Sequence, residues 1–288
     1  MSDQETKSAK GQKVFKPKQF CLELVSVAVA LIVFGIPFYY VVVNSMKNLP
    51  EAARRNMRWP EQLYLVENYT TVLQTNNQVV LRAFGNSLLI TTVAVILVVV
   101  IASMTGFVLS RRQGKATGVL SLVILAGLMI PPAIVPTIWV LQRFQLFPTL
   151  WGLILVQTAL QFPFATLLYR SFVGNIPREL DESAMIDGCN PLRIFVSIIL
   201  PLLKPVHATV IVITAVMIFN DFMTPLYFLP GAQNVTVQLT LYHFMSQFGT
   251  QWQLLFANVV LITLPPLMLF IFFNRRIVAG ITGGAVKG

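Results

Sequence analysis

The sequence predicts an all-α, polytopic membrane protein with about six transmembrane helices. Three observations predict it. Hydrophobic residues make up 56% of the 288 residues and charged residues only 11%, with a mean hydropathy of +0.72; a soluble domain carries nearer a quarter charged residues. Six apolar runs approach the ~20 residues that cross a hydrocarbon core at 1.5 Å per residue. Fifteen of the 21 Lys and Arg fall on alternate segments between these runs, the bias that marks the cytoplasmic side.

Residues 1–20 read as a disordered, basic cytoplasmic tail with Lys7, Lys10, Lys13, Lys16 and Lys18. The apolar run that follows is too long for a cleaved signal and no A-x-A site ends it. Residues 21–84 read as the first span, 22–43, and a polar exterior loop, 44–84. Glu23 sits at the rim of that span, and Pro37 bends it or marks the far surface. Residues 85–274 form the core. Its second span is 87–109, with no charge between Arg82 and Arg111, followed by a short basic inside turn, 110–118. The third span, 119–141, is broken by Pro131-Pro132 and Pro136, whose freed carbonyls need partners in protein or water. After an exterior turn, the fourth span is 150–168, carrying Gln157, Gln161 and Pro163. The fifth span is 206–229. An uncharged exterior segment, 230–253, precedes the sixth, 254–273, which Asn274-Arg275-Arg276 stops inside. Residues 275–288 are then a cytoplasmic tail, with both termini inside. Five exterior cations lie between 44 and 84; long loops translocate with less regard to charge.

Several function classes are excluded. The net charge of +10 follows from the inside bias, and no basic cluster interleaved with aromatics points to nucleic acid. Cys21 and Cys189 belong to no C-x-x-C pair, and His207 and His243 to no H-E-x-x-H, so no metal site or disulfide is expected. There is no G-x-x-x-x-G-K-[ST] and no nucleophile–base constellation. The chain is not expected to be an enzyme.

The informative stretch is the inside loop 176–201, dense in charge and turn signals. Pro177 suits a first helical turn. Glu179, Asp181 and Glu182 suit the positive end of a helix dipole. Leu180, Ser183, Ala184 and Asp187 share a small, partly apolar face that another backbone can approach. Gly188 is a stop able to take positive φ. Asn190-Pro191 restarts a helix as cap and first residue.

Glu182-Ser183-Ala184, then Gly188, then Ile198-x-Leu200-Pro201 resembles the EAA loop of ATP-binding-cassette importer permeases: Glu-Ala-Ala, three residues, Gly, nine residues, Ile-x-Leu-Pro. One position departs, Ser183 for the family's usual Ala, and Ser is small. Ile186-Asp187-Gly188-Cys189, Leu200-Pro201-Leu202 and the tail Gly284-Ala285-Val286-Lys287-Gly288 resemble the maltose-type, carbohydrate branch. The resemblance covers roughly residue 69 to the C-terminus.

This resemblance implies the type I importer permease fold, in a bacterial or archaeal cytoplasmic (inner) membrane. It implies four kinds of partner besides lipid: two ATPase subunits, a second homologous permease, an external solute-binding protein and a sugar or oligosaccharide. ATP and magnesium would belong to the ATPases, with no cofactor in this chain. The ATPase joint would be Glu182, Ser183, Ala184, Asp187, Gly188, Ile198, Leu200 and Pro201. Tail contacts would be Gly284, Lys287 and Gly288. Loop 44–84 would meet the binding protein.

Asp221 is the ionisable residue well inside a span, about 22 Å from Val206 along the fifth helix. Intramembrane acids are expensive and usually functional. Asp221 therefore either lines the substrate path or caps a broken helix and pairs with a polar neighbour. Asn220-Asp221-Phe222 also resembles a recurring family sequence. Asn86, Asn220 and Asn258 are further path candidates. Alternatives are a permease for glycerol phosphate or another polyol, and an ion-coupled secondary transporter, which would want several intramembrane acids or histidines.

Overall fold

A computed structural model describes residues 17–231, 234–246 and 249–285. Helix α1 (Pro17–Ala30) passes through a π turn (Leu31–Gly35) into α2 (Ile36–Ser45). The π turn directly precedes Pro37, which has no N–H to donate and whose ring crowds the carbonyl four residues back. Widening the turn lets the helix continue past it. The same device recurs at Phe195–Ile199, just ahead of Pro201. Side chains from Leu24 to Phe38 are exposed along this helix.

The polar stretch predicted as exterior loop is largely helical. It holds α3 (Leu49–Ala53), capped by Asn48, and the outer arm of α4 (Leu65–Arg111). That arm breaks at 75–78, where Asn76, Asn77 and Gln78 take φ of 49°, 55° and 59°. Asn tolerates this left-handed region better than most residues. The helix resumes at Val79, ahead of the predicted start of the second span.

The third span is bent more sharply than a kink. Helices α5 (Lys115–Met129) and α6 (Ile134–Arg143) meet at 116° across Pro131-Pro132. Helix α7 (Leu150–Gly174) follows. Next come α8 (Glu179–Ile186), α9 (Pro191–Ile194), the second π turn and α10 (Leu200–Leu202). A 77° bend at Leu203 leads into α11 (Lys204–Asn220). The predicted fifth span ends there: residues 221 and 222 leave the helix, and α12 (Met223–Phe228) is separate. The last helix, α13 (Trp252–Ala285), runs beyond the predicted stop at 274–276. Basic residues mark a membrane boundary, but Asn-Arg-Arg has nothing that ends a helix. Among the described residues, four helices are long and apolar enough to cross a membrane alone, or up to six if each bent pair is one span.

The segment predicted as exterior, 230–253, is partly a wall of the core. Its 3₁₀ helix (Val237–Phe244) buries Val237, Thr240 and Phe244. It ends in a two-stranded antiparallel ribbon, β1 (Met245–Ser246) and β2 (Gly249–Thr250).

Helices α4 and α7 form the central pair. A Cβ at Gly106 would lie 2.6 Å from Tyr169 Cβ and 2.8 Å from the Arg170 backbone N, so only glycine lets the two backbones approach. Around this contact Val98, Ala102, Tyr169 and Val173 pack with Ala184, Ile194, Ile199 and Leu203. The loop 176–201 thus shares one core with the spans.

Candidate coupling surface and transport path

Helix α8 is built largely as its sequence predicts. Its carboxylates occupy the first turn. Gly188 takes φ +79°. Its N–H donates to Met185 O at 3.0 Å, and the Cys189 N–H reaches Ala184 O at 2.9 Å. This is a Schellman closure, which leaves few unpaired carbonyls at the helix end. Asn190 Oδ1 accepts from the Arg193 N–H at 2.8 Å, with Pro191 at the first helical position. Pro177 is displaced by one step: the cap is Arg178, and Pro177 lies just outside the helix.

The faces of α8 divide differently from the prediction. Ala184 is buried and faces the core. Glu182, Ser183 and Asp187 are exposed, as is Gly188. Met185 and Ile186 complete the open face, with Ile186 87% exposed. Ala184 is therefore a packing residue. Its inward turn follows from Asp181, three residues earlier on the same face. Ile198 and Leu200 pack at the rim of the inner core, while Pro201 is exposed. Gly284 lies within α13, whereas Lys287 and Gly288 fall outside the described residues.

A clamp missed in the sequence holds α8 in place. Arg111 Nε lies 2.6 Å from Asp181 Oδ2, and both side chains are about nine-tenths buried. Arg111 also donates to Ile176 O at 3.1 Å, and Arg178 to Ser110 O at 3.4 Å. The C-terminal end of α4 is thus tied to the loop's first helix. The signal is a cation at the end of a long apolar run and the middle one of three acids in a helical turn, seventy positions apart.

The path candidates gather at the other end. Asn86 Nδ2 donates to Val235 O at 3.1 Å, and the Val237 N–H donates to Ser87 Oγ at 2.9 Å. Gln238 Nε2 donates to Asn220 Oδ1 at 3.2 Å. Asn258, fully buried, donates to Thr240 Oγ1 at 2.8 Å, and its own Oδ1 has no partner. Three of the four predicted path residues therefore hold one inserted segment, 235–240. Asn220 is exposed and lines a cavity of about 340 Å³ with Gln238, Thr263 and Pro266. Asn258 has no surface to offer a solute.

Asp221 does both things expected of a structural acid. Its Oδ1 accepts from the Thr224 N–H at 3.2 Å, capping α12, and its Oδ2 accepts from Gln157 Nε2 at 2.6 Å. Gln157, almost fully buried, is the partner that sequence reasoning left without a role. An amide inside an apolar span, one of two with Gln161, is the available signal.

Outside the spans, Lys47 is buried, and its ammonium donates to Asn44 Oδ1, Asn56 O and Asn56 Oδ1 at 2.8–3.1 Å. Burial pushes its pKa below the usual lysine range, with Glu51 opposing the shift. Asn68 ties the same knot to the outer arm of α4 through Ser45 O and Lys47 O. The knot presents Arg54, Arg58 and Trp59 outward.

Bent spans, a clamped inside helix and a polar inserted segment define a polytopic membrane transport subunit. The family of "Binding-protein-dependent transport system inner membrane component" matches residues 98–283, and the chain belongs to it. It is thus a permease subunit, not an enzyme. It is 32% identical over 253 residues to "Probable starch degradation products transport system permease protein AmyC" of Thermoanaerobacterium thermosulfurigenes, covering 87% of this chain and 91% of that one. It is 34% identical over 207 residues to the arabinooligosaccharides transport system permease protein AraQ of Halalkalibacterium halodurans, covering 71% and 74%. A chain from the crystal structure of a bacterial ABC transporter importing the acidic polysaccharide alginate shares the fold, with TM-score 0.77 and 18% identity, over 92% of this chain and 99% of that one.

Proposed function

We propose that this permease subunit carries a sugar or oligosaccharide, delivered by an external solute-binding protein, across the cytoplasmic membrane with both termini inside. Two ATPase subunits drive it and a second homologous permease completes the pathway. ATP and magnesium are held by the ATPases.

The observation that carries the coupling role is the open face of α8. Glu182, Ser183, Met185, Ile186 and Asp187 project from a helix anchored to α4 by a buried ion pair. A push on that face is transmitted to the spans as a rigid-body motion, because the loop and spans share a core. Gly188 shapes the loop, and Ala184, Ile198, Leu200 and Pro201 seat it. The tail residues Gly284, Lys287 and Gly288 are assigned a second ATPase contact by family resemblance.

For the substrate, the relatives' names support carbohydrate, and the chemistry agrees. Asn220 and Gln238 offer neutral donors and acceptors at the cavity beside the inserted segment, the groups that pair with hydroxyls. Asp221 sits next to them without a cation among its hydrogen-bond partners, which disfavours a phosphorylated polyol. The Lys47 knot, displaying Arg54, Arg58 and Trp59, is the assigned contact for the binding protein.

The test is co-purification of the tagged chain, co-expressed with its chromosomal neighbours, followed by uptake in proteoliposomes. The expected result is an ATPase and a second permease in the eluate. Labelled oligosaccharide uptake should then require ATP on the ATPase side and binding protein on the other. A chain that purifies alone, or uptake driven by an ion gradient without ATP, would overturn the reading.

A further inference from the structure

One cavity lies away from both sites. It has a volume of about 800 Å³ and opens between the inner end of α4, the start of α5 and the last turns of α7. Gln157, which meets Asp221, is thirteen residues before Arg170 on α7, or about 20 Å along the helix. The cavity is therefore remote from the inserted segment. It also involves neither the open face of α8 nor the Arg111–Asp181 clamp.

Its lining is polar and cationic. Arg112 enters from the end of α4 and Arg170 from α7, with Gln113, Thr117 and Ser121 between them. Arg170 donates to Ser121 Oγ at 3.2 Å, bridging α7 and α5. No Asp or Glu lines the cavity. Among the described residues, neither Arg112 nor Arg170 has an acid within ion-pair distance. Two guanidinium groups thus face one concavity without a counter-charge among the described residues. Further along the cavity's own face of α5, four and seven residues past Ser121, Leu125 and Leu128 are exposed and apolar. A phosphate group held by the arginines would place attached acyl chains along that surface. Guanidinium pairs phosphate through two parallel hydrogen bonds, and basic pockets between spans on the cytoplasmic side take anionic headgroups.

We propose that this cavity binds the headgroup of one anionic phospholipid of the inner leaflet, with Arg112 and Arg170 on its phosphate. The chemistry shared with a free anion is the phosphate. The adjacent apolar strip of α5 selects the lipid.

The test is native mass spectrometry of the full chain, with its co-purifying subunits, taken from nanodiscs of equal phosphatidylglycerol and phosphatidylcholine. Wild type is expected to retain phosphatidylglycerol over phosphatidylcholine by at least tenfold. The double variant R112Q/R170Q should lose that preference. Ser121→Phe, which fills the cavity and leaves the charge unchanged, should also lose it and so separates a site from general attraction. Thermal unfolding in detergent establishes that each variant is folded; Arg112→Lys with Arg170→Lys supplies a second charged comparison and should keep part of the preference. Equal retention of the two lipids by wild type, or undiminished preference in folded R112Q/R170Q or Ser121→Phe, would overturn the proposal. Displacement of the lipid by millimolar inorganic phosphate would assign the cavity to a free anion instead and overturn it equally.

Discussion

The inside loop and the inserted outer segment are both connections between spans, yet they are held by different physics. In the loop, order is local. Gly188, Asn190 and Pro191 close and reopen helices through bonds three to five residues long. Long-range ties to the end of α4, led by the Arg111–Asp181 ion pair, then dock the finished unit. In the outer segment, a short 3₁₀ helix is fixed in place by long-range bonds at its start: Asn86 meets Val235 and Ser87 meets Val237 across about 150 residues. The loop is a preformed part fastened to the spans. The outer segment takes its shape from the walls around it.

That difference sets the largest expected effect. Arg111→Met leaves the Asp181 carboxylate buried without its partner. Breaking a buried pair from one side costs about 3–5 kcal/mol, enough to free α8 from α4. Limited proteolysis at 176–190 should accelerate strongly, while the outer segment keeps its protection. Equal protection of the loop in wild type and variant would contradict the clamp.

The central helix pair comes next. Gly106→Val should force α4 and α7 apart, because even the first added carbon meets Tyr169 and the Arg170 backbone. Overpacking of this kind costs about 1–3 kcal/mol. It should lower thermal stability in detergent and perturb both regions, since both hang on this pair.

A smaller effect is expected at Asn258. Asn258→Ala removes one buried donor from Thr240 and leaves a small void, at about 1–2 kcal/mol. Hydrogen exchange should rise in 235–244 with the inside loop unchanged. Because Asn258 is buried, solute affinity should not shift. A change in affinity without a change in exchange would restore it as a path residue.

These comparisons explain what was legible. About six spans follow from apolar run length alone, and the α8 closure follows from Gly188 and Asn190, whose conformations depend on their own side chains. The 116° turn at Pro131-Pro132 was legible as a break but not as an angle, because the angle is set by what α6 packs on. The outer segment was read as exterior because it is uncharged and polar. Two of its polar side chains instead find partners on the neighbouring helices, Gln238 on Asn220 and Thr240 on Asn258, each 18 residues away. Asp221 was legible as exceptional, but choosing between its roles required Gln157, 64 residues away. Ala184 shows the reverse: a motif assigns it to the docking face, and packing turns it inward.

The smallest expected effect is on the outer knot. Lys47 has a lowered pKa in the folded chain against 10.5 for an unperturbed lysine. Between those two values the unfolded chain holds more protons than the folded one, so stability rises with pH through that window. Below the lowered pKa the burial penalty is present in full. Hydrogen exchange in 44–69 should therefore slow, after correction for intrinsic rates, as pH approaches 10.5, and Lys47→Met should flatten that slope.

The most direct test of the central claim, that the open face of α8 couples an ATPase to the spans, is Glu182→Lys in proteoliposomes. Glu182 is exposed, so insertion and thermal stability should stay within about 0.5 kcal/mol of wild type. ATP-driven uptake is expected to fall at least tenfold, with weaker ATPase retention on purification and unchanged solute-binding protein capture. Normal uptake by a correctly inserted Glu182→Lys chain would contradict the coupling assignment.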